Sequence, residues 1–347
     1  MLKADVEVDR RDFTVRAAIE VGPGERLALF GPSGAGKTTL LETIAGLVQP
    51  ASGLIELAGR TLTRTAAPKV AVPAWQRQVG LLRQDPGLFP HLSVRDNLAY
   101  ARATGRRGAE LAGLADALGI GDFLDSMPSR LSGGQQHRAA LGRLLLAHCH
   151  VLLLDEPYSG LDAVLRRTLT SLVVRLVTER GVPAVLVAHE LADAQAFANR
   201  LAVLDRGAVL QIGAPDEVVL RPAVMRVAEL VGYLGFAPVG GLPGTVAGIH
   251  PDRVVAGAHA ARGLVLTGTI AASRPAGAAF EVDLQCAENA VVTARLADRP
   301  GAEGAILTVT ALDPPCFGPD GSAVPWRPGP MAGLPVRDGP VTRGAGS

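Results

Sequence analysis

The chain has 347 residues, of which 48% are hydrophobic and 19% are charged, so it can form a sizeable core and is not disordered throughout. This length is long for one compact domain, so a second domain is expected. The formal net charge of +1 provides neither a basic field for nucleic acid nor an acidic tail for a basic partner. Cys149, Cys286 and Cys316 are widely spaced without a CxxC pair, which indicates a reducing compartment rather than a disulfide framework or a zinc site.

The sequence contains no pattern typical of a membrane span. The first residues, Met-Leu-Lys-Ala-Asp-Val-Glu, lack an apolar signal core. Apolar runs such as 151–154 fall far short of the ~20 residues that a span requires. We therefore expect a soluble chain, or one that is attached to a membrane only through other subunits.

From Leu27 to about Gly232, short apolar runs alternate with longer segments of helical periodicity. The runs cover residues 27–30, 151–154, 184–188 and 201–204. This alternation predicts an α/β fold with a mostly parallel sheet and helices on its faces.

A glycine-rich segment follows the first apolar run and precedes a helical run at 40–47, and it fits the pattern GxxxxGK[ST]. Its glycines let successive N–H groups face one anion, Lys37 reaches the β- and γ-phosphates, and the Thr38 hydroxyl is placed to bind Mg²⁺. The alternative is a flexible turn with an incidental lysine, but Lys37 is one of only three lysines in an arginine-rich chain. The predicted nucleotide-binding residues are Gly31, Pro32, Ser33, Gly34, Ala35, Gly36, Lys37, Thr38 and Thr39.

The apolar run at 151–154 ends in two adjacent carboxylates, Asp155 and Glu156. Side chains alternate along a strand, so these two groups face different neighbours and can have different roles. Asp155 can orient Mg²⁺ through its water shell, and Glu156 can polarise the water that attacks a γ-phosphate. An acidic turn after an apolar strand is also ordinary in α/β proteins, so this pair alone does not define a site.

The segment Leu-Ser-Gly-Gly-Gln-Gln-His-Arg at 131–138 opens a helical run that reaches about residue 148. Ser132 followed by two glycines is by itself a reasonable helix cap. In its order and spacing with the earlier motifs, however, the segment resembles the signature of ATP-binding-cassette (ABC) ATPases. That resemblance implies that Ser132, Gly133, Gly134 and Gln135 bind the γ-phosphate of ATP held by a second subunit.

The same resemblance implies roles for other residues. Gln84 matches the family glutamine that contacts Mg²⁺ and the attacking water, and His189 matches the histidine that contacts the γ-phosphate. Residues 159–162 match the loop that crosses the dimer interface, with Gly160 in place of the usual alanine. Phe13 is the nearest candidate for an adenine-stacking aromatic. The implied catalytic residues are Glu156, His189 and Gln84, and the implied metal ligands are Thr38, Gln84 and Asp155.

Beyond the Gly- and Pro-rich segment 237–244, short β-type runs replace the helical periodicity. They cover residues 254–255, 264–270, 280–284, 291–296 and 306–310, and they predict a small β-barrel. Residues 247–254, Ala-Gly-Ile-His-Pro-Asp-Arg-Val, resemble the start of the oligonucleotide/oligosaccharide-type (TOBE) barrel of importer ATPases. The predicted division is an ATPase domain at 1–235 with a helical subdomain at about 85–150, a TOBE-like barrel at 241–317 and a disordered tail at 318–347.

The chain to about residue 317 is most similar to the ATP-binding subunits of molybdate importers, including the segment 73–80. The resemblance implies an ATP-hydrolysing subunit that uses ATP and Mg²⁺ to drive uptake of molybdate or a related oxyanion. Sulfate, polyamine, ferric iron and sugar importers share much of this architecture, and an exporter subunit with an appended tail is the remaining rival. A DNA-repair ATPase of this family is excluded because no sustained heptads separate Gly36 from Leu131.

The implied partners are a second copy of the chain, integral-membrane permease subunits and an extracytoplasmic solute-binding protein, with no nucleic acid. The chain is expected at the cytoplasmic face of the inner membrane, as a peripheral subunit that touches the membrane only through the permease. Residues 272–275, Ala-Ser-Arg-Pro, stand where oxyanion-binding barrels have a Ser-Ala-Arg-Asn type sequence. An oxyanion site inside the barrel is therefore not expected.

Overall fold

The computed structural model describes residues 1–11, 13–100, 108–240, 242–259 and 261–325. The Cα positions divide the chain into two compact units, with the boundary between Asp216 and Glu217. Within the described residues, no helix has both the length and the apolar character needed to cross a membrane.

The first unit is built on an eleven-stranded sheet. Its strands are β1 (Leu2–Asp9), β2 (Thr14–Val21), β3 (Arg26–Phe30), β4 (Ser52–Leu57), β5 (Arg60–Arg64), β6 (Val70–Ala71), β7 (Val79–Leu82), β8 (Val151–Asp155), β9 (Ala184–Ala188), β10 (Arg200–Asp205) and β11 (Ala208–Gly213). Their order across the sheet is β6-β5-β4-β1-β2-β11-β10-β3-β9-β8-β7.

One half of this sheet is parallel, which confirms the predicted α/β architecture. Strands β10, β3, β9, β8 and β7 run in the same direction. Every residue of β8 and β9 is buried, as expected for strands covered on both faces. The four apolar runs in the sequence correspond to β3, β8, β9 and β10.

The other half of the sheet is mostly antiparallel, so the sheet as a whole is mixed. Strands β6, β5, β4, β1 and β2 pair antiparallel in that order, and β11 pairs antiparallel with β10, whereas the contact between β2 and β11 is parallel. Buried and exposed residues alternate along β1, and they alternate in the same way along most of β2. This period of two is typical of a sheet with one face on the core and one face in water.

The helices of the first unit are α1 (Lys37–Ala45), α2 (Val94–Tyr100), α3 (Gly108–Ala117), α4 (Gly133–Leu146), α5 (Ala163–Arg180) and α6 (Leu191–Phe197). Two short helices follow, α7 (Pro215–Leu220) at the boundary between the units and α8 (Met225–Leu230) in the second unit. The segment between β7 and β8 contains α2, α3 and α4, which is the region predicted as the helical subdomain.

The helix α1 is fixed between the sheet and a buried arginine. Leu40, Leu41 and Ile44 are fully buried in the main hydrophobic core of the unit. At the C-terminal end of α1, the Arg77 guanidinium donates hydrogen bonds to the carbonyl oxygens of Thr43 at 3.2 Å and Ile44 at 2.9 Å. Arg77 is 2% exposed, so it satisfies helix carbonyls that water does not reach. These contacts fix the C-terminal end of α1, the helix whose first two residues are Lys37 and Thr38.

The second unit contains two antiparallel sheets that share one hydrophobic core. Its strands are β12 (Phe236–Pro238), β13 (Val246–Gly248), β14 (Val254–Ala256), β15 (Gly263–Ala276), β16 (Ala279–Cys286), β17 (Val291–Leu296), β18 (Ile306–Leu312), β19 (Cys316–Phe317) and β20 (Ala323–Val324). The sheet orders are β12-β13-β19-β20 and β14-β18-β15-β16-β17. The predicted small β domain is confirmed, whereas its TOBE type and its boundary at residue 241 stay predictions.

The disorder predicted from residue 318 does not apply to residues 318–325. There Ala323–Val324 pairs with Cys316–Phe317, and the backbone of Ser322 bridges to Val224. Strand pairing satisfies backbone groups in this Gly- and Pro-rich stretch although it has no periodic pattern. Residues 326–347 lie outside the described residues.

Candidate functional site

Four neighbouring parallel strands bring the predicted site residues to one edge of the sheet. In the order β3-β9-β8-β7, these strands are followed by the glycine-rich loop, His189, Glu156 and Gln84 respectively. Because the carboxyl ends of parallel strands meet at the same edge, residues that are distant in sequence become neighbours there.

The glycine-rich loop has a backbone shape that larger residues cannot adopt. Gly31 has φ of 151°, and a Cβ placed on it would lie 2.0 Å from the carbonyl oxygen of Leu204. Gly36, the residue before α1, has φ of 101°, and a Cβ there would lie 2.6 Å from Val15. These glycines let the loop curl over the N-terminus of α1, where free N–H groups favour an anion.

The Lys37 ammonium group lies inside this loop. Its Nζ donates hydrogen bonds to the carbonyl oxygens of Gly31 at 2.7 Å and Pro32 at 2.9 Å. Lys37 is 6% exposed, and this burial lowers its pKa, while the carboxylates of Glu156 and Asp155 oppose that shift. The arrangement supplies a cation beside a cradle of N–H groups, which suits a phosphate chain.

Thr38 and Asp155 form the part of the site that fits a divalent cation. The Thr38 hydroxyl donates a hydrogen bond to Asp155 Oδ1 at 3.2 Å. Asp155 is 3% exposed, and burial raises its pKa, although the hydrogen bond from Thr38 opposes the rise. The described residues contain no group of three or more histidine, cysteine or acidic side chains placed to hold a metal. Mg²⁺ needs few protein ligands when phosphates supply others, so a hydroxyl with one nearby carboxylate is a suitable donor set.

The Glu156 carboxylate is oriented by residues from both neighbouring strands. The Gln84 side-chain amide donates a hydrogen bond to Glu156 Oε1 at 2.6 Å, and His189 Nε2 is hydrogen-bonded to the same oxygen. Glu156 also has φ of 52°, an uncommon value for a residue with a side chain, and such strain is concentrated at functional sites. These contacts turn the carboxylate toward the glycine-rich loop, where it can accept a proton.

A cavity of about 240 Å³ lies in front of the loop. Its lining residues are Phe13, Ser33, Gly34, Ala35, Gly36, Lys37, Thr38, Thr39, Gln84, Glu156 and His189. The aromatic candidate Phe13 therefore lies at the same cavity as the loop.

Arg10 contacts a residue that lines this cavity. It donates two hydrogen bonds to Thr39 Oγ1, from Nε at 3.1 Å and from Nη2 at 3.0 Å. Sequence reasoning missed Arg10, because an arginine in a short hairpin carries no pattern that marks it.

The segment 131–135 does not line this cavity in the same chain. Ser132 instead caps α4, with its hydroxyl accepting from Gln135 N at 3.3 Å while Gln135 Oε1 accepts from Ser132 N at 2.8 Å. Gly133 and Gly134 form the first turn of the helix, so their N–H groups belong to a helix N-terminus that could receive an anion. The roles of Ser132, Gly133, Gly134 and Gln135 stay predictions.

Comparison with known proteins supports a family assignment. A family model described as ABC transporter matches residues 16–159. The sulfate/thiosulfate import ATP-binding protein CysA of Mycobacterium tuberculosis strain H37Rv is 40% identical over 254 residues, which cover 72% of this chain and 67% of that protein. This chain belongs to the ABC transporter family.

Other members of the ABC transporter family are named for different substrates. The molybdenum import ATP-binding protein ModC of Mesorhizobium japonicum is 40% identical, over 67% of this chain and 63% of that protein. The ferric-ion import ATP-binding protein FbpC of the same organism is also 40% identical, over 62% of this chain and 59% of that protein. A solved structure of the ATP binding subunit of an ABC transporter is 25% identical, with a TM-score of 0.55, over 67% of this chain and 95% of that one. The chain thus spans about three fifths of the first curated relatives it matches, and their substrates are not the same.

Proposed function

We propose that this chain hydrolyses ATP as the ATP-binding subunit of an ABC importer. The observation that carries the proposal is the position of Glu156. Its carboxylate is hydrogen-bonded to Gln84 and His189, and Glu156 lines the same cavity as Lys37. A carboxylate held in this way beside a cationic phosphate cradle is suited to activating water.

The proposed chemistry divides the work among these side chains. Lys37 and the loop N–H groups bind the β- and γ-phosphates of ATP, and Glu156 accepts a proton from the water that attacks the γ-phosphorus. ADP and inorganic phosphate are the products. His189 contacts the γ-phosphate and so distinguishes ATP from ADP. Thr38, Gln84 and Asp155 would hold Mg²⁺, which when bound neutralises phosphate charge.

A second copy of the chain completes the proposed site. The helix N-terminus at Ser132 has the features of an anion site, yet it lies outside the cavity that contains Lys37. If Ser132, Gly133, Gly134 and Gln135 of one copy bind the γ-phosphate in the other copy, ATP bridges the two subunits. Hydrolysis then removes the bridging group and lets them separate, which is the movement that drives transport.

For the transported solute we propose molybdate or a related oxyanion. Relatives named for molybdenum and for sulfate import support an oxyanion, while relatives named for ferric-ion import make iron the alternative. Polyamine and sugar remain further alternatives, and export is the least supported. The proposed partners are membrane permease subunits and an extracytoplasmic solute-binding protein. The chain itself would be peripheral, on the cytoplasmic face of the inner membrane.

Deletion of the gene in its host tests the import function. Cellular molybdenum, sulfur and iron are measured by mass spectrometry with each element limiting in turn. We expect molybdenum to fall, to be restored by the wild-type gene and not to be restored by Glu156→Gln. A fall in cellular iron alone would show that the transported solute is iron rather than an oxyanion, and it would leave the ATPase proposal intact. Full restoration by Glu156→Gln would contradict the coupling of uptake to hydrolysis at Glu156.

A further inference from the structure

One guanidinium group joins the loop at 159–162 to the segment that carries His189. Arg166, on α5, has its Nη1 2.7 Å from Glu190 Oε2 and 3.4 Å from Asp193 Oδ2. Its Nη2 donates a hydrogen bond to the carbonyl oxygen of Leu161 at 3.4 Å. Glu190 directly follows His189, and Leu161 lies in the loop that leads into α5. The two segments are thus held by the same side chain.

A small cavity lies beside Arg166, so packing does not fill the space between these segments. Its volume is about 170 Å³, and its lining includes Glu156, Tyr158, Gly160, Arg166 and His189. Gly160 has φ of 73°, and a Cβ placed on it would meet no atom within 4 Å. Where side-chain packing is absent, a loop keeps its position through directed polar contacts, and Arg166 provides one of them.

The last residue of the loop, Asp162, is bonded to the start of α5. Its Oδ1 accepts hydrogen bonds from Val164 N and Leu165 N, each at 3.0 Å, and so caps the helix. A shift of the His189 segment that moves Glu190 would displace the Arg166 side chain, which is bonded to Glu190. Because Arg166 belongs to α5 and donates to Leu161 O, that displacement would reach both the helix and the loop before it. The charges reinforce the link, because Glu190 and Asp193 repel each other unless the guanidinium lies between them.

We propose that Arg166 is a positioning residue that couples His189 to the loop at 159–162, so that loss of the γ-phosphate contact at His189 is transmitted to the dimer-facing loop. The inference rests on the proposed ATP hydrolysis. Lysine cannot replace Arg166 in this role, since the planar guanidinium reaches two carboxylates and a carbonyl at once, whereas an ammonium group on a flexible stem does not hold that geometry.

The test uses the purified full-length chain with Arg166→Ala, Arg166→Lys and the control Arg175→Ala. Arg175 lies on the same helix and forms an exposed pair with Glu179 at 4.0 Å. We expect kcat for ATP hydrolysis to fall about tenfold or more in both Arg166 variants, while the Kd for ATP changes by less than about twofold. Arg175→Ala should keep the wild-type kcat and Kd.

A double-mutant cycle with His189→Ala separates coupling from a general loss of structure. If Arg166 acts through His189, adding Arg166→Ala to His189→Ala should lower kcat by less than about twofold more. Multiplied effects of the two substitutions, or a folded Arg166→Ala with wild-type kcat, would overturn the inference. If Arg166→Ala does not fold, Glu190→Gln combined with Asp193→Asn removes the same ion pairs and should give the same result. A wild-type chain that binds ATP without hydrolysing it would instead refute the proposed function.

Discussion

The side chains of Gln84 and Glu156 meet at a distance of 2.6 Å between Gln84 Nε2 and Glu156 Oε1. They follow the neighbouring parallel strands β7 and β8, so the contact depends on the strand order rather than on proximity in sequence. Gln84 begins the segment that leads into the helical part of the first unit. A movement that displaces Gln84 would therefore remove one of the two hydrogen bonds that orient the Glu156 carboxylate.

Replacement of Gln84 by alanine should slow hydrolysis without abolishing ATP binding. The expected loss in kcat is about tenfold to a hundredfold, because an unoriented base transfers protons less efficiently. Steady-state phosphate release and equilibrium ATP binding measure the two effects separately. Gln76→Ala serves as the control, since Gln76 is exposed and does not line the cavity. A Gln84→Ala variant with wild-type kcat would show that the contact has no catalytic role.

Lys37→Ala should lose affinity for ATP. The ammonium group is held inside the loop by the carbonyl oxygens of Gly31 and Pro32, and its loss should weaken ATP binding by at least about tenfold, equivalent to about 1.4 kcal/mol. Titration with a fluorescent ATP analogue measures the Kd. Lys69→Ala is the matched control, because Lys69 is an exposed lysine away from the cavity. If the Kd for ATP is unchanged in Lys37→Ala, the loop does not bind phosphate as proposed.

Arg77→Ala should destabilise the first unit. Arg77 also donates to Val72 O at 2.8 Å and to Thr63 Oγ1 at 2.9 Å, so its removal deletes four hydrogen bonds, three of them buried. The expected loss is about 2–5 kcal/mol in the free energy of unfolding. Denaturant unfolding measures it against Arg16→Ala, which removes a mostly exposed ion pair with Glu7 and should cost no more than about 1 kcal/mol. Equal stability of the two variants would contradict the capping role of Arg77.

The buried His137 side chain should make the folded chain less stable in acid. Its ring is buried, which lowers its pKa below 6.5, although the charge of Glu156 opposes that shift. The folded chain therefore holds this histidine neutral at a pH where the unfolded chain takes up a proton. Its contribution to stability is full above about pH 6.5 and is lost as the pH falls toward the folded pKa.

The comparison of wild type with His137→Gln isolates this titration. Between about pH 8 and about pH 5.5, the free energy of unfolding should fall more steeply for wild type than for the glutamine variant. Denaturant unfolding at several pH values gives both slopes. Identical slopes would mean that His137 is protonated to the same extent in the folded and unfolded chains.

Local motifs were predictable from the sequence because the residues of each motif determine its backbone conformation or its burial without help from distant residues. The glycines around Lys37 impose the loop shape, and the apolar run before Asp155 fits a strand buried on both faces. The convergence of Gln84, Glu156 and His189 was anticipated only through resemblance to a family. A contact of this kind depends on the order of strands in the sheet, which no local pattern of these residues encodes.

Other features depend on tertiary structure and left no recognisable pattern. Arg10 and Arg166 belong to an arginine-rich chain, and nothing in their immediate sequence distinguishes them from solvent-exposed arginines. The antiparallel half of the sheet had a usable signal, since Asp5 and Glu7 alternate with buried residues along β1. The strand at Ala323–Val324 had none, because two residues are too few to show a period.

The most direct test of the proposed ATP hydrolysis is phosphate release by the purified chain with Glu156→Gln. Glu179→Gln, an exposed glutamate on α5, is the control. Glu156→Gln should bind ATP, release phosphate at least about a hundredfold more slowly than wild type and accumulate as an ATP-bound dimer in light scattering. Release at the wild-type rate would contradict the assignment of Glu156 as the base.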